Sequence, residues 1–361
     1  GGLKNKQLSN FTVGGNYDIL MVDTFWVSEY VEKGILAPLA PMLDDSAATP
    51  EWFDEADFNS GFASMAVRDD STFALPIAGS TRLIAYRTDL FEEHGIEVPQ
   101  TLDELLQVAR YFKDEVPGVD GMTMRAAQGV QFASAWLQLI YQFGGGFVDQ
   151  ETLEVTIDDE ATIESLEYFI ELLKTGPVGI ETYGFEESAA AFATGGTALW
   201  YDGTPIVLTR LENPESSQVV GRIGYFAPPA GPAGTFAPLA GWLMGLSSSA
   251  PNSEAAWAFL VWANSRANAK AYYELSGQVN RTSLFSDPTV TEGLEGFYAA
   301  YQDSLNQAAN LASQGLTWIP PGPSDVLLIA GDFGNRAFLG QMTAAEAMQR
   351  AAVEIERVLN Q

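Results

Sequence analysis

Residues Leu75–Leu106, LPIAGSTRLIAYRTDLFEEHGIEVPQTLDELL, decide the fold. Leu83-Ile84-Ala85-Tyr86 is a short apolar run and predicts a buried strand. It feeds Arg87-Thr88-Asp89-Leu90-Phe91 and a short amphipathic helix that stops at Gly95, and Val98-Pro99 breaks the chain again. Thr101 has the chemistry of a helix N-cap, and Glu104, three residues on, is its capping-box partner. Strand, helix, proline turn and capped helix make an α/β unit.

The same alternation runs outward in both directions. Upstream, residues 3–11 read as the end of a helix, and Tyr17–Asp23 as a buried strand with Thr24-Phe25-Trp26 at its carboxyl end. A helix over 27–33 follows, stopped by Gly34, and Ser71–Pro76 reads as another strand. Downstream, helices are predicted over 102–113, 132–143, 160–174, 186–193, 253–263, 294–307, 326–339 and 344–359. Strands are predicted over 121–125, within 195–203, and over 219–226 and 239–246. Gly144-Gly145-Gly146 follows a helix instead of opening one and lacks the phosphate-loop spacing, so it reads as a helix stop. There is no internal repeat and no low-complexity tract.

Composition bounds the function. With 361 residues, 47% of them hydrophobic, the chain has material for two domains. A formal net charge of -29 repels phosphates and anionic lipid headgroups, so nucleic acid and acidic membranes are not expected partners. Lysine is confined to Lys4, Lys6, Lys33, Lys113, Lys174 and Lys270, a balance that fits either a high-salt protein or an acidic secreted one. Cysteine is absent, which excludes disulfides and thiolate metal sites. His94 is the only histidine, so zinc sites rich in histidine are impossible and a histidine-based triad would have to run through it. No cofactor is expected.

The order of these segments resembles the extracellular solute-binding proteins of ABC sugar importers, of the maltose-binding-protein-like kind. The resemblance is carried by Gly15–Leu39, by Leu75–Leu106, by Val155-Thr156-Ile157-Asp158 with the helix after it, and by Gly195–Gly203. It continues through Leu239–Leu246, residues 253–270, residues 277–284 and the helix ending at Leu359, and so covers essentially the whole chain. It implies an α/β, two-lobed periplasmic-binding-protein fold of type II, with hinge crossovers and a ligand cleft between the lobes. The first lobe is then expected to hold residues 1–84 and 248–283, the second 85–247 and 284–361. It also implies that the opening strand of the first lobe and any leader or lipid anchor precede Gly1, leaving a sheet edge open. The expected location is periplasmic or extracellular, the expected partners are a small carbohydrate and the membrane subunits of the importer, and the expected state is a monomer.

A sugar offers hydroxyls on its edge and C–H groups on its faces. Carboxylates and guanidiniums suit the first, and flat aromatic rings the second. In open α/β sheets ligands sit beyond the carboxyl ends of strands, where Asp23 and Trp26 fall. Together with the resemblance this gives a candidate set of Asp23, Trp26, Arg125, Tyr201, Asp202, Trp242 and Arg281. Gly241 allows close backbone approach. Ser80 and Arg82 lie at the first crossover, and Trp136 and Trp318 are further stacking candidates. Taken singly, each residue also has a structural reading, as core packing for a Trp or an ion pair for an Arg. The implied function is binding without chemistry: capture of a sugar or sugar alcohol by hinge closure, and delivery to the transporter. Two alternatives stand beside it. One is a glycoside hydrolase with paired carboxylates. The other is a receptor for a polyamine or peptide.

Overall fold

The structure is a computed structural model that describes residues 2–149, 152–276, 280–313 and 325–360. The chain forms two compact units. The first comprises Gly1–Ser80 and Leu239–Gly293, and the second Thr81–Pro238 and Leu294–Gln361. The division expected at 84/85, 247/248 and 283/284 therefore moves to 80/81, 238/239 and 293/294, the first two for reasons visible in the strand pairing.

Nine strands are named here: β1 (Ile19–Asp23), β2 (Val67–Arg68), β3 (Ser71–Thr72), β4 (Leu75–Ser80), β5 (Arg82–Arg87), β6 (Asp120–Thr123), β7 (Thr197–Gly203), β8 (Ile223–Phe226) and β9 (Ala240–Leu246). In the first unit β9 lies between β1 and β4, antiparallel to both. Both its neighbours come from the first 80 residues, so β9 cannot belong to the second unit. The single strand expected over 71–76 is divided between β3 and β4, and β3 pairs with β2 in a hairpin whose turn residues Asp69 and Asp70 both take positive φ, as a tight primed turn requires. β4 then starts at Leu75. The core of this unit contains Leu20, Val22, Val27, Tyr30 and Leu243, with Leu8 and Phe11 of the helix Gly2–Thr12 packed against it. A second cluster joins Phe53, Phe58, Trp257 and Leu260.

In the second unit the order is β6-β7-β5-β8, with β6 parallel to β7 and the other neighbours antiparallel. β5 pairs wholly inside this sheet from Arg82 onward, which sets the boundary after Ser80. Thr101 caps the helix Leu102–Glu115 with a reciprocal Glu104 contact, as the sequence predicts. The helix Val130–Phe143 packs on Glu160–Lys174 and on Asp325–Phe338, and the last of these packs on the terminal helix Ala344–Leu359. Among the described residues no helix is long and apolar enough to cross a membrane.

Gly241 sits where β9 passes closest to β4. A Cβ there would lie 2.3 Å from the Ala78 carbonyl oxygen, a backbone atom that cannot step aside. Gly241→Ala is expected to cost about 1–3 kcal/mol, read from the urea midpoint at unchanged slope. An unchanged midpoint would show that β9 can move away from β4 freely.

Candidate functional site

In the first unit, β1 ends at Asp23, directly opposite Trp242 on β9. Asp23 caps the short 3-10 turn Thr24–Trp26, its Oδ1 accepting from the Phe25 amide at 3.1 Å. That turn delivers Trp26 beside Trp242, their rings edge-to-face with centroids 5.6 Å apart. Both indoles and Asp23 are partly exposed. The sequence therefore folds two strand ends into one patch of a carboxylate and two rings at right angles. Burial lifts the Asp23 carboxyl to about 6, and the Phe25 amide and the charge of Lys4 reverse this only in part. Ser80 is buried at the end of β4, opposite Ala240.

The second unit holds a tighter constellation. Arg82 opens β5, Asp202 ends β7 next to Gly203, and Arg125 follows β6. Arg82 Nη1 donates to Asp202 Oδ1 at 2.7 Å, and its Nη2 donates to Ser134 Oγ at 2.8 Å. Arg125 grips the same carboxylate with one edge of its guanidinium, Nε to Oδ2 and Nη2 to Oδ1, each at 2.7 Å. The Gly203 amide adds a third donor to Oδ1 at 2.7 Å. The Arg125 guanidinium also lies 4.4 Å over the ring of Phe185, and its Nη1 reaches Gln131 Oε1 at 3.4 Å. Burial pushes Asp202 up, but the guanidiniums of Arg125 and Arg82 more than reverse it, so the carboxylate sits below its usual range. Burial pulls Arg82 down to about 10 despite the Asp202 charge. Tyr201 is fully buried beside Asp202 in sequence, and its hydroxyl has no hydrogen-bond partner among the described residues. Burial raises its ionisation well above the phenol range.

Two expected candidates belong elsewhere. Trp136 is fully buried, its Nε1 donates to Ser165 Oγ at 2.9 Å, and its ring packs on Phe147. It has no face left for a solute. Arg281 has no exposed surface in the first unit: it donates to the backbone carbonyls of Asn264, Asp54 and Phe53, pairs with Asp57, and stacks on Phe58 at 4.2 Å. Its guanidinium is a clamp joining distant segments. Trp318 lies outside the described residues. Sequence reasoning missed Ser134, Gln131 and Phe185, which fix the guanidiniums. A signal existed for the first: Ser134, Gln138 and Gln142 recur every fourth residue in a mostly apolar helix, and all three are buried.

Residues 1–270 match the family of bacterial extracellular solute-binding proteins. The chain belongs to that family. Relatives include the erythritol/L-threitol-binding protein of Mycolicibacterium smegmatis, 23% identical over 73% of this chain and 57% of its own length. The mannitol-binding protein of Pseudomonas aeruginosa is 26% identical over 76% of this chain and 64% of its own length. The alignments thus span less than two thirds of these two relatives. Among solved structures, an ABC-transporter solute-binding protein from Agrobacterium radiobacter in complex with ribitol superposes with a TM-score of 0.89 at 24% identity, over 99% of this chain and 88% of that one. The α/β fold of two-lobed periplasmic solute-binding proteins is therefore this chain's fold, and its family is one of binding proteins.

Two outcomes are expected. Asp23 ionises less readily in the folded chain than in the unfolded one. Between pH 4 and pH 6 the folded state therefore keeps a proton that the unfolded state has lost, and stability falls as pH rises through this window. Asp23→Asn should remove that cost and raise the unfolding free energy at pH 7 by roughly 1–3 kcal/mol, with the gain shrinking at pH 4. An equal gain at both pH values would assign it to packing. Arg281→Met should destabilise by about 3–5 kcal/mol, since it leaves the carbonyls of Asn264, Asp54 and Phe53 without their donor and takes one of two guanidiniums from Asp57, as measured by chemical denaturation.

Proposed function

We propose that this chain is the solute receptor of an ABC importer and that its solute is a sugar alcohol or small sugar. The observation that carries this is the patch of Asp23, Trp26 and Trp242 on the first unit. Flat rings cover C–H faces, and a carboxylate with one capping bond keeps lone pairs for paired hydroxyls. Within the second unit, Arg125 keeps an edge that can donate to a hydroxyl. Two relatives whose names state a polyol, erythritol/L-threitol and mannitol, point to the same chemical class. The residues assigned to binding are Asp23, Trp26 and Trp242 in the first unit and Arg125 in the second, with Ser80, Gly241, Arg82, Tyr201 and Asp202 supporting them. We assign the receptor to the outside of the cell, with the importer's membrane subunits as its partner.

The hydrolase reading needs one carboxyl held protonated and a second free to act as base or nucleophile. Asp23 suits the first role. Asp202 is locked by two guanidiniums, and Asp57 is held by Arg266, Arg281 and Ser283, so neither is free for the second. A polyamine receptor needs several uncompensated carboxylates, whereas Arg82, Arg125 and Asp202 sum to one positive charge. Binding without chemistry, to a neutral polyhydroxylated solute, is the reading these residues support best.

A thermal-shift panel of erythritol, ribitol, mannitol, hexoses and maltose, with spermidine and a tripeptide as controls, tests the class, because a solute that binds only the folded chain raises its melting temperature. A shift confined to polyols or sugars, with no product on incubation, is expected. A shift with spermidine alone, or release of product, would overturn the proposal. Trp242→Ala is expected to weaken the responsive solute by about 1–3 kcal/mol, by analogy with stacking on nucleobases. Unchanged affinity in calorimetry would remove Trp242 from the site.

A further inference from the structure

We propose that Asp202 is a positioning residue: it does not touch the solute but fixes the guanidinium of Arg125, which does. The assignment of Arg125 to the solute rests on the receptor reading above.

A carboxylate has about four acceptor positions. Asp202 Oδ1 already accepts from Arg82, Arg125 and Gly203, and Oδ2 accepts from Arg125. Its side chain is only 1% exposed. Oδ2 keeps one acceptor position, but the side chain is too deeply buried for a solute hydroxyl to have a path to it. Arg125 differs on both counts: its side chain is 14% exposed, against 5% for Arg82. Its bidentate edge is spent on Asp202 and one face on Phe185, but Nη1 makes only the 3.4 Å contact to Gln131. The planar fork is thus held by one edge and one face while another edge is left to donate.

Charge supports the same division. Two guanidiniums against one carboxylate leave one positive charge, so the cluster meets a solute as a donor. Arg82 adds little contact of its own, because Ser134 and Asp202 take its donors. It makes the carboxylate harder to protonate, and hence a lasting anchor for Arg125. A guanidinium held this way loses less freedom on binding than one that must first be ordered.

The test combines a double-mutant cycle with a ligand-free measurement. In calorimetry against mannitol and ribitol, Arg125→Met should weaken binding about 10- to 100-fold, the scale of a charged hydrogen bond. Asp202→Asn should weaken it comparably. The double variant should bind as Arg125→Met alone does, because a residue acting through Arg125 has nothing left to position. Multiplying losses would place Asp202 in direct contact with the solute and overturn the proposal. In arginine-labelled NMR of the solute-free protein, an exchange-protected Nε–H resonance should vanish in Arg125→Met and lose its protection in Asp202→Asn. Protection retained in Asp202→Asn would show that something else holds Arg125. A wild-type chain that binds no polyol would overturn the receptor reading, and the NMR arm would still decide whether Asp202 holds Arg125. If Asp202→Asn does not fold, Arg82→Met/Asp202→Asn removes both charges and takes its place in each arm.

Discussion

The pairing of β9 between β1 and β4 is the constraint on which the first unit depends. Ala240–Leu246 is separated from both partners by more than 150 residues of chain, so closing this sheet fixes everything strung between. The pairing needs Gly241 at the closest approach, where the Ala78 carbonyl leaves no room for a methyl group. The next residue, Trp242, falls opposite Asp23 by register alone. A fold requirement and a candidate binding surface thus occupy adjacent positions on one strand. Alternation of side chains along β9 means that a one-residue slip would send Trp242 to the other face.

Much of this was legible because it is local. A capping box, a proline break and a strand of apolar residues are read from neighbours, and Thr101 with Glu104 behaves as its spacing demands. The position of Asp23 at a strand end followed from the short apolar run before it. What was not legible is whether a polar group is already used. Arg281 and Arg125 look alike in sequence, each near the end of a predicted strand or crossing. Folding consumes the first on carbonyls of Asn264, Asp54 and Phe53, residues near it in space but, for two of the three, distant along the chain. The second keeps an edge. Trp136 failed for a related reason: the helix carrying it is apolar nearly all round, so periodicity could not say which face meets solvent.

The boundary shift has the same origin. The resemblance made 239–246 a strand that crosses back to the first lobe, and the boundary was expected at its far end. Hydrogen-bond partners decide otherwise, and partners lie far away. Local pattern defines elements well and assigns them to units poorly.

Both candidate patches carry an electrostatic cost that stability alone does not explain. Asp23 is held in surroundings that oppose its charge, although an Asn would cap the same turn. Arg82, buried with Asp202, has its own charge disfavoured by the same burial that its partner offsets. Buried ion pairs are poor sources of stability, and an apolar replacement of similar volume often does as well or better. A chain carrying 47 acidic residues against 18 basic ones has few guanidiniums to spare, yet it places two of them on one carboxylate. Surface solubility gains nothing from that arrangement, and hydrophobic packing loses by it. On the receptor reading proposed above, groups held in place for the hydroxyls of a solute would account for such costs.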